Sequence, residues 1–353
     1  MIICPSFFDG NMNGIGRVSD SFYQALSAMG HRPQVLSANE PQSASHIAEG
    51  YGYNANYKQM IWAGLTQNFR RPPIVVCMHL GLSPVARLIS ARYNVPYLVF
   101  LHGIEAWDKL SPRRHWGLAG AHKLLANSQF TLSHFHRFNP DLASIPILVT
   151  PLGIGHMPDR PPMRDAMSLR VLIVGRIVKG ERDKGHRTLI QAMEHIVSDI
   201  PEAVLTIIGD GEDRADLEAF AKRFSLGNRV EFVGRVPDET LPAWYDTSAV
   251  FAMPSESEGF GLVYLEAMAR GIPCLCSDVD AAREVVVHGE TGLAVSPRSP
   301  FLAAESLIQL LRDAHLRASF GEAGRTRYAS LFTANHFELR IQNAIAPYIE
   351  DIR

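Results

Sequence analysis

The chain of 353 residues has a formal net charge of −2, with 20% charged and 46% hydrophobic residues. This composition is typical of a globular protein and argues against wholesale nucleic-acid binding, which requires a strong excess of positive charge. The length is too great for one hydrophobic core and predicts two domains.

Short apolar runs alternate with segments of helical spacing along the chain, which predicts strands joined by helices. The predicted strands are Ile2–Cys4, Ile74–His79, Tyr97–Leu101, His122–Ala126, Val171–Val174, Val204–Ile208, Val230–Val233, Val250–Met253 and Pro273–Cys276. The predicted helices are Ile15–Met29, Ser83–Tyr93, a helix after Ser128, Gly261–Arg270 and Asn335–Ile352. This rhythm indicates an α/β protein with two doubly wound, Rossmann-like parallel sheets.

The first domain is predicted at residues 1–157 and the second at residues 168–334. The segment His156 to Ser168 contains three prolines, which do not suit the interior of a helix or strand, and it is interpreted as the hinge. The apolar positions of the last helix fit two structures equally well: a helix that completes the first domain at residues 335–353, or a peripheral packing helix.

The segment Glu258-Gly-Phe-Gly-Leu-Val-Tyr-Leu-Glu266 is predicted at a strand-to-helix turn. The first amides of a helix lack intrahelical acceptors, and glycines let a ligand approach the backbone, so a phosphate fits there. Helical side chains lean toward the N-terminus, so Glu266 is predicted to reach hydroxyl groups beside that phosphate, and Glu258 lies on its other side. The alternative is that both carboxylates are solvated charges.

Two other turns carry glycine or positive charge. Gly14-Ile-Gly16 lies between a strand and a helix but lacks the third glycine of the dinucleotide fingerprint. Arg176 follows a predicted strand and Lys184 precedes a helix, and fixed cations are what a diphosphate leaving group requires. Solvated loop charge is the alternative for both cations.

Taken together, these segments resemble family 4 of the retaining glycosyltransferases, two-domain GT-B enzymes that use nucleotide sugars. The resemblance covers almost the whole chain, and its ordered set of segments is specific although each one alone is degenerate. The segments are Gly14-Ile-Gly16-Arg17, His102-Gly103, Ala126-Asn-Ser128, Pro151-Leu-Gly153-Ile, Gly175-Arg176 with Lys184-Gly185, Ile208-Gly-Asp-Gly211, Phe232-Val-Gly234-Arg-Val and Glu258 to Glu266.

The resemblance implies two Rossmann-like domains that face each other across a cleft, the first on the acceptor side and the second binding the nucleotide sugar. It implies that Glu266 binds the ribose and that backbone groups near Arg235 and Val236 bind the base. His102 and Glu258 are the catalytic candidates, at the sugar, and Glu105 is a further acceptor-side candidate. The predicted diphosphate ligands are Gly14, Gly16, Arg176, Lys184 and the amides of Phe260, Gly261 and Leu262.

Two segments depart from the family pattern. The stretch between Arg176 and Lys184 is longer and more charged than in many members, so Lys179 competes with Lys184 as the diphosphate ligand. The family's Pro-Asn-Gly segment is Pro151-Leu-Gly in this chain, which removes a polar side chain at position 152.

No metal and no cofactor are predicted. Asp-x-Asp, the motif that would hold a divalent cation, is absent from the site segments, and His134-x-His136 diverges on a helix. The four cysteines lie in apolar strand contexts and are predicted to be reduced core residues.

Charge is distributed unevenly, because residues 1–155 carry a net charge of +5 and the remainder −7. The basic half, with Arg70-Arg71 and the segment Arg113 to Trp116 on predicted loops, suits weak attraction to an anionic membrane or to a pyrophosphate-linked lipid. Scattered solvated charge is the favoured interpretation of the same residues, because no polybasic cluster of the usual size is present. No membrane span or secretory signal is recognised, so the expected location is the cytoplasm, including the inner face of its membrane.

The predicted function is that of a metal-independent, retaining hexosyltransferase. The expected donor is a UDP- or GDP-linked sugar, and the expected acceptor is a glycan or lipid-linked chain in polysaccharide biosynthesis. The alternatives are a nucleotide-sugar epimerase, a sucrose- or phosphorylase-type GT-B enzyme, and a non-catalytic nucleotide-sugar-binding protein. The oligomeric state is left open.

Overall fold

The computed structural model describes residues 1–7, 14–41, 49–67, 69–155, 168–178 and 184–349. The chain divides into two compact units. Unit 1 consists of Met1–Leu152 with Ala334–Arg353, and unit 2 of Gly153–Thr333. The segment proposed as a hinge lies almost entirely outside the described residues.

Within the described residues, each unit contains one parallel sheet. The strands of unit 1 are β1 (Ile2–Cys4), β2 (Val35–Ser37), β3 (Gly50–Gly52), β4 (Val75–Cys77), β5 (Tyr97–Leu101), β6 (Lys123–Ala126) and β7 (Ile147–Val149). Those of unit 2 are β8 (Arg170–Val174), β9 (Val204–Ile208), β10 (Val230–Gly234), β11 (Val250–Met253), β12 (Cys274–Ser277) and β13 (Gly292–Val295). The spatial orders are β3-β2-β1-β4-β5-β6-β7 and β10-β9-β8-β11-β12-β13.

Helices connect these strands. They are α1 (Gly14–Ala28), α2 (Tyr57–Thr66), α3 (Ser83–Tyr93), α4 (Pro112–Leu118), α5 (Gln129–Phe138), α6 (His186–Asp199), α7 (Arg214–Ala221), α8 (Leu241–Asp246), α9 (Leu262–Ala269), α10 (Ala282–Val285), α11 (Pro300–Arg312), α12 (Ala314–Leu331) and α13 (Ala334–Ile349).

The order of the strands defines a switch point in each sheet. In unit 1, β1 pairs with β2 on one side and with β4 on the other. In unit 2, β8 pairs with β9 and with β11 in the same way. Chain connections leave in opposite directions from such a strand and open a crevice at the carboxyl ends, where ligands of doubly wound sheets bind.

The last helix, α13, belongs to unit 1. Its buried face consists of Phe337, Ile341, Ala344 and Ile345, and it packs against α1. Lys123 donates to the Ala344 carbonyl and lies over the ring of Tyr348. The terminal helix therefore covers apolar surface of the first sheet's helical layer.

The sequence analysis was wrong about the segment Arg113 to Trp116, which lies on α4 and not on a loop. Pro112 occupies the first turn of that helix, a position where its missing N–H costs nothing, and Ser111 precedes it. The expectation for the cysteines is confirmed, because all four are buried and unbridged. Cys274 and Cys276 are two positions apart in β12, so both thiols lie on the same face of the sheet, and both residues are fully buried.

Candidate active site

The carboxyl ends of β8 and β11 form the switch point of unit 2. Gly175 follows β8 directly, and a Cβ atom built on it would lie 3.6 Å from Cγ of Lys184 and 4.0 Å from Sδ of Met253. The loop after β8, the segment that leads into α6 and the end of β11 therefore meet at one place.

Lys184 and Glu258 form the central ion pair of this site. Nζ of Lys184 lies 2.8 Å from Oε2 of Glu258 and donates to the Ser257 carbonyl at 3.4 Å. The side chains are 21% and 18% exposed, so water screens this attraction less than it screens a surface pair. Both charges remain within reach of a ligand at the mouth of the crevice.

Backbone geometry brings Lys184 to this position. Gly185 has a φ of +91°, and a Cβ atom there would lie 2.6 Å from the Pro254 carbonyl oxygen. A side chain at 185 therefore requires the backbone of one loop to move away from the other. The glycine allows the loop before α6 to touch the segment that leads to Glu258.

The N-terminus of α9 faces the same region. Gly261 precedes the helix with a φ of +91°, and a Cβ atom there would lie 2.4 Å from Cδ2 of Tyr264 and 3.3 Å from Cγ of Glu258. Within the described residues, the N–H groups of Phe260, Gly261 and Leu262 have no hydrogen-bond acceptor. These predicted anion ligands lie at the positive end of a helix dipole.

Glu266 lies inside α9 and is oriented by another helix. The buried hydroxyl of Tyr245, on α8, donates to Oε2 of Glu266 at 2.8 Å. One carboxylate oxygen is thereby fixed, and the group retains further acceptor capacity for hydroxyls of a ligand.

The other predicted residues of unit 2 lie at the same edge of the sheet. Arg176, the second residue after β8, is exposed, and it makes no hydrogen bond or ion pair among the described residues. Arg235 is exposed and Val236 half-buried, both directly after β10. Lys179, the alternative to Lys184, lies outside the described residues.

In unit 1, His102 directly follows β5. Its Nε2 lies 2.7 Å from the Met78 carbonyl oxygen, its backbone N–H donates to Oε1 of Glu105 at 2.6 Å, and its ring stacks on Phe100. A carbonyl only accepts, so Nε2 carries the proton and Nδ1 of the neutral ring is an acceptor. Burial lowers the pKa of His102 below 6.5, while Glu105 and the Met78 carbonyl oppose the shift.

His79 follows β4 and lies near the same carboxylate. Its Nδ1 accepts the Gly81 N–H at 3.0 Å. Burial lowers the pKa of His79 below 6.5, Glu105 raises it and Arg114 lowers it. Asn127, after β6, donates to the His102 carbonyl at 2.7 Å, so three successive strand ends contribute to this cluster.

Gly14 and Gly16 lie in the first turn of α1, with Gly14 exposed. The segment before them, residues 8–13, is outside the described residues. The convergence of these amides with Arg176 and Lys184 on one diphosphate stays a prediction.

Two absences are established for the described part of the chain. It contains no group of three His, Cys, Asp or Glu side chains arranged to hold a metal ion. It also contains no helix long and apolar enough to cross a membrane.

Sequence reasoning missed three residues of these sites: Tyr245, Asp280 and His79. Tyr245 bonds Glu266 from 21 positions away, and Asp280 accepts the N–H of Glu258 from 22 positions away. Neither separation corresponds to a helical or strand repeat. His79 could have been found from the sequence, because it lies two residues after β4 and His102 lies directly after β5.

Comparison with known proteins is consistent with this geometry. Residues 162–327 match the family described as "Glycosyl transferases group 1", and residues 12–155 match "Glycosyltransferase Family 4". The chain is 33% identical over 266 residues to a GDP-mannose-dependent alpha-(1-6)-phosphatidylinositol monomannoside mannosyltransferase of Mycobacterium tuberculosis. That alignment covers 69% of this chain and 67% of the relative.

Two solved structures share the fold. Sucrose-phosphate synthase from Thermosynechococcus elongatus matches with a TM-score of 0.83 at 22% identity, over 99% of both chains. Anabaena HepE, solved with UDP and glucose, matches with a TM-score of 0.76 at 18% identity, over 98% of this chain and 99% of HepE. The chain therefore belongs to family 4 of the glycosyltransferases, the group 1 glycosyl transferases, and is a glycosyltransferase with the GT-B fold.

Proposed function

We propose that this glycosyltransferase moves a hexose from a nucleotide-diphosphate sugar to a glycan or lipid-linked acceptor, with retention of configuration and without a metal ion. The observation that carries the proposal is the Lys184–Glu258 ion pair beside the N-terminus of α9, at the switch point of the second sheet. A cation, a carboxylate and the first amides of a helix lie together at the carboxyl edge of this sheet.

The diphosphate is assigned to the positive groups of this edge. Lys184 and Arg176 supply full charges, and the N–H groups of Phe260, Gly261 and Leu262 supply oriented dipoles. Breaking the sugar–phosphate bond leaves extra negative charge on the diphosphate, and donors already in place stabilise it without reorganisation. This set supports stabilisation of the leaving group by protein groups in place of a divalent cation.

The ion pair gives Lys184 and Glu258 complementary roles. When a diphosphate enters, Nζ of Lys184 gains a phosphate oxygen as an acceptor, and Glu258 is left to accept hydroxyl groups of the donor sugar. The phosphate would thus replace Glu258 as the partner of Lys184, and Glu258 would then orient the donor sugar. Glu258 also lies where its negative charge favours the positive charge that develops at the anomeric carbon.

The nucleoside is assigned to the neighbouring groups. Glu266, with one oxygen held by Tyr245, accepts from the two ribose hydroxyls, while the segment at Arg235 and Val236 meets the base. The proteins that this chain resembles indicate two possible nucleotides, because the mycobacterial mannosyltransferase is GDP-mannose-dependent and the HepE structure contains UDP. The proposal therefore keeps both GDP and UDP sugars as donors.

In unit 1, His102 is assigned to the donor sugar or the acceptor. Its neutral ring offers Nδ1 as an acceptor for a hydroxyl group. Retention is proposed to occur by front-face attack. The C1–O bond to phosphate breaks, the acceptor oxygen bonds C1 from the same face, and the acceptor proton passes to the leaving phosphate. Gly14 and Gly16 are assigned to the same diphosphate, and Glu105 to the acceptor side.

The acceptor and location are proposed from charge. Residues 1–155 carry a net charge of +5, and Arg70, Arg71, Arg113 and Arg114 are exposed. Such a surface favours a pyrophosphate-linked acceptor at the inner face of the cytoplasmic membrane.

A donor panel tests the function. The protein is incubated with UDP, GDP and ADP sugars, and release of nucleoside diphosphate is followed with and without a chelator. We expect turnover of one donor that is independent of the chelator and, once an acceptor is found, a product whose anomeric configuration by NMR is that of the donor. Binding of every donor without turnover, or an epimerised sugar, would contradict the proposal.

A further inference from the structure

Asp280 is a buried carboxylate in the loop between β12 and α10, 2% exposed. Its Oδ2 accepts the backbone N–H of Glu258 at 2.9 Å, and its Oδ1 accepts that of Ala282 at 3.0 Å. The N–H of Ala281 donates to the Glu258 carbonyl at 3.2 Å. Both backbone polar groups of Glu258 are therefore held by the loop that follows the neighbouring strand.

These hydrogen bonds fix the position of the Glu258 backbone, and therefore the position from which its side chain extends. In the loop of residues 254–261, the Ser255 hydroxyl accepts the Ser257 N–H, Lys184 donates to the Ser257 carbonyl, and the chain turns at Gly261. Without the bonds to residues 280 and 281, the N–H of Glu258 loses the Asp280 carboxylate as its acceptor and the C=O of Glu258 loses the Ala281 N–H as its donor. The 2.8 Å contact between Glu258 and Lys184 depends on that backbone position.

Charged and titratable groups from several elements face Asp280. They are Glu258 on the β11–α9 loop, Lys184 before α6, Tyr264 on α9, and Cys276 on β12. Burial raises the pKa of Asp280 to about 7, the N–H groups of Ala282 and Glu258 oppose the shift, Glu258 adds to it and Lys184 opposes it. The thiol of Cys276 and the hydroxyl of Tyr264 stay neutral in the same range, because burial raises the pKa of each.

Protonation of this carboxyl group removes an acceptor. A carboxylate accepts from both N–H groups, whereas in the acid one oxygen carries a hydrogen and opposes one of them. The loop then loses one of its two bonds, and the bond that remains is a neutral one, about half as strong as a charge-assisted bond.

We propose that Asp280 is a positioning residue that holds Glu258 in place for the donor sugar, and that turnover of the nucleotide-sugar donor requires the ionised form of Asp280. The inference rests on the function proposed above and concerns how the protonation of Asp280 regulates that same site. Asp280 acts through the backbone of Glu258 and does not touch the donor.

The chain offers a matched control for a variant of Asp280. Asp278 lies two positions earlier in the same loop, is exposed, and its side chain makes no hydrogen bond or ion pair among the described residues. With Asp280 it forms an Asp-x-Asp sequence outside the segments considered in the sequence analysis, but Asp280 is buried and holds backbone N–H groups, and the described residues contain no group arranged to hold a metal ion. Asp280→Asn and Asp278→Asn remove the same charge from the same loop. The Asp280→Asn variant is expected to fold, because it reproduces the neutral state of the wild-type residue.

The first measurement is kcat/KM for donor turnover between pH 5.5 and 9. Wild type and Asp278→Asn are expected to gain activity with a midpoint near pH 7, whereas Asp280→Asn stays flat at a level roughly 10-fold below the wild-type plateau. Burial lowers the pKa of His79 and of His102 below 6.5, so these two site histidines of unit 1 give no midpoint at 7. A midpoint near pH 7 retained in Asp280→Asn would overturn the proposal.

The second measurement is amide hydrogen exchange at Glu258, corrected for the intrinsic rate at each pH. Exchange is expected to be faster in Asp280→Asn than in Asp278→Asn, and in wild type to slow as the pH rises through 7. Equal protection in both variants would overturn the positioning role. If wild type turned over no donor while exchange behaved as expected, the proposed function would fail and the role of Asp280 in holding Glu258 would stand.

Discussion

The sites at the strand ends of the two units differ in charge: the site in unit 2 contains an ion pair, and the site in unit 1 contains a neutral histidine. In unit 2, Lys184 pairs with Glu258, Tyr245 holds Glu266, and Asp280 holds the backbone of Glu258. In unit 1, His102 bonds a carbonyl, stacks on Phe100 and has a lowered pKa. A charged pair suits a ligand whose charge changes during reaction, and a neutral imidazole suits hydroxyl groups. The comparison predicts that substitutions in unit 2 have the larger effects.

The largest expected effect comes from Lys184→Ala. Removing the cation takes away stabilisation of the leaving diphosphate and leaves Glu258 without its partner, so kcat should fall by roughly 10² to 10³. Steady-state donor turnover measures this. Lys222→Ala, at an exposed lysine after α7, is the control and should keep wild-type kcat. A loss of less than 3-fold, by the scale of a single ordinary hydrogen bond, would mean that another cation binds the diphosphate.

The next effect is on stability, through Asp280. Its pKa is raised from 3.8 to about 7, so the folded state binds the proton more tightly than the unfolded state between these values. The tighter binding of this proton stabilises the folded state at low pH, and that stabilisation is lost as the pH rises through the folded-state pKa near 7. The free energy of unfolding of Asp280→Asn minus that of wild type should grow by up to about 3 kcal/mol between pH 5 and 8. Urea unfolding at several pH values checks this, and a constant difference would contradict it.

Glu266→Gln should weaken donor binding. Two ribose hydroxyls lose a charged acceptor, which corresponds to a rise in Kd of roughly 10- to 100-fold, with kcat less affected. Calorimetric titration with the nucleoside diphosphate measures it, and Glu305→Gln, at an exposed position on α11, is the control. Tyr245→Phe removes the hydroxyl that bonds Glu266 but leaves the carboxylate in place, so it should raise Kd less than Glu266→Gln does. An unchanged Kd in Glu266→Gln would show that the ribose binds elsewhere.

The smallest effect is expected in unit 1, for His102→Ala. A neutral hydrogen bond to a sugar or acceptor hydroxyl corresponds to roughly 3- to 10-fold in kcat/KM. His315→Ala, at an exposed position on α12, is the control. A loss in His102→Ala that exceeds the loss in Lys184→Ala would reverse the comparison between the units.

Much of the architecture was predictable from the sequence, because strands buried on both faces read as continuous apolar runs. The bounds of β5, β9, β11 and α3 agree with the predicted ones. The strands β2, β3, β7 and β13 were not recognised, and three of these four have only three residues. Glu258 and Glu266 were found because their chemistry lies in one local segment.

The partners of these carboxylates could not be predicted in the same way. Asp280 and Glu258 are in contact because β11 and β12 are neighbours in the sheet. The Asp280 carboxylate accepts a backbone N–H, and every residue except proline has one, so the sequence does not indicate which residue donates. Tyr245 reaches Glu266 from α8, the helix before β11. Such contacts depend on strand order, which becomes known only with the fold.

The most direct test of the central claim is a single-turnover measurement of nucleoside diphosphate release from the preferred donor, made in excess EDTA and again in excess magnesium. The account predicts equal rate constants in the two conditions, with Lys184→Ala slow in both. A wild-type rate that collapses in EDTA and returns with magnesium would contradict the claim that Lys184, Arg176 and the amides of α9 hold the leaving diphosphate.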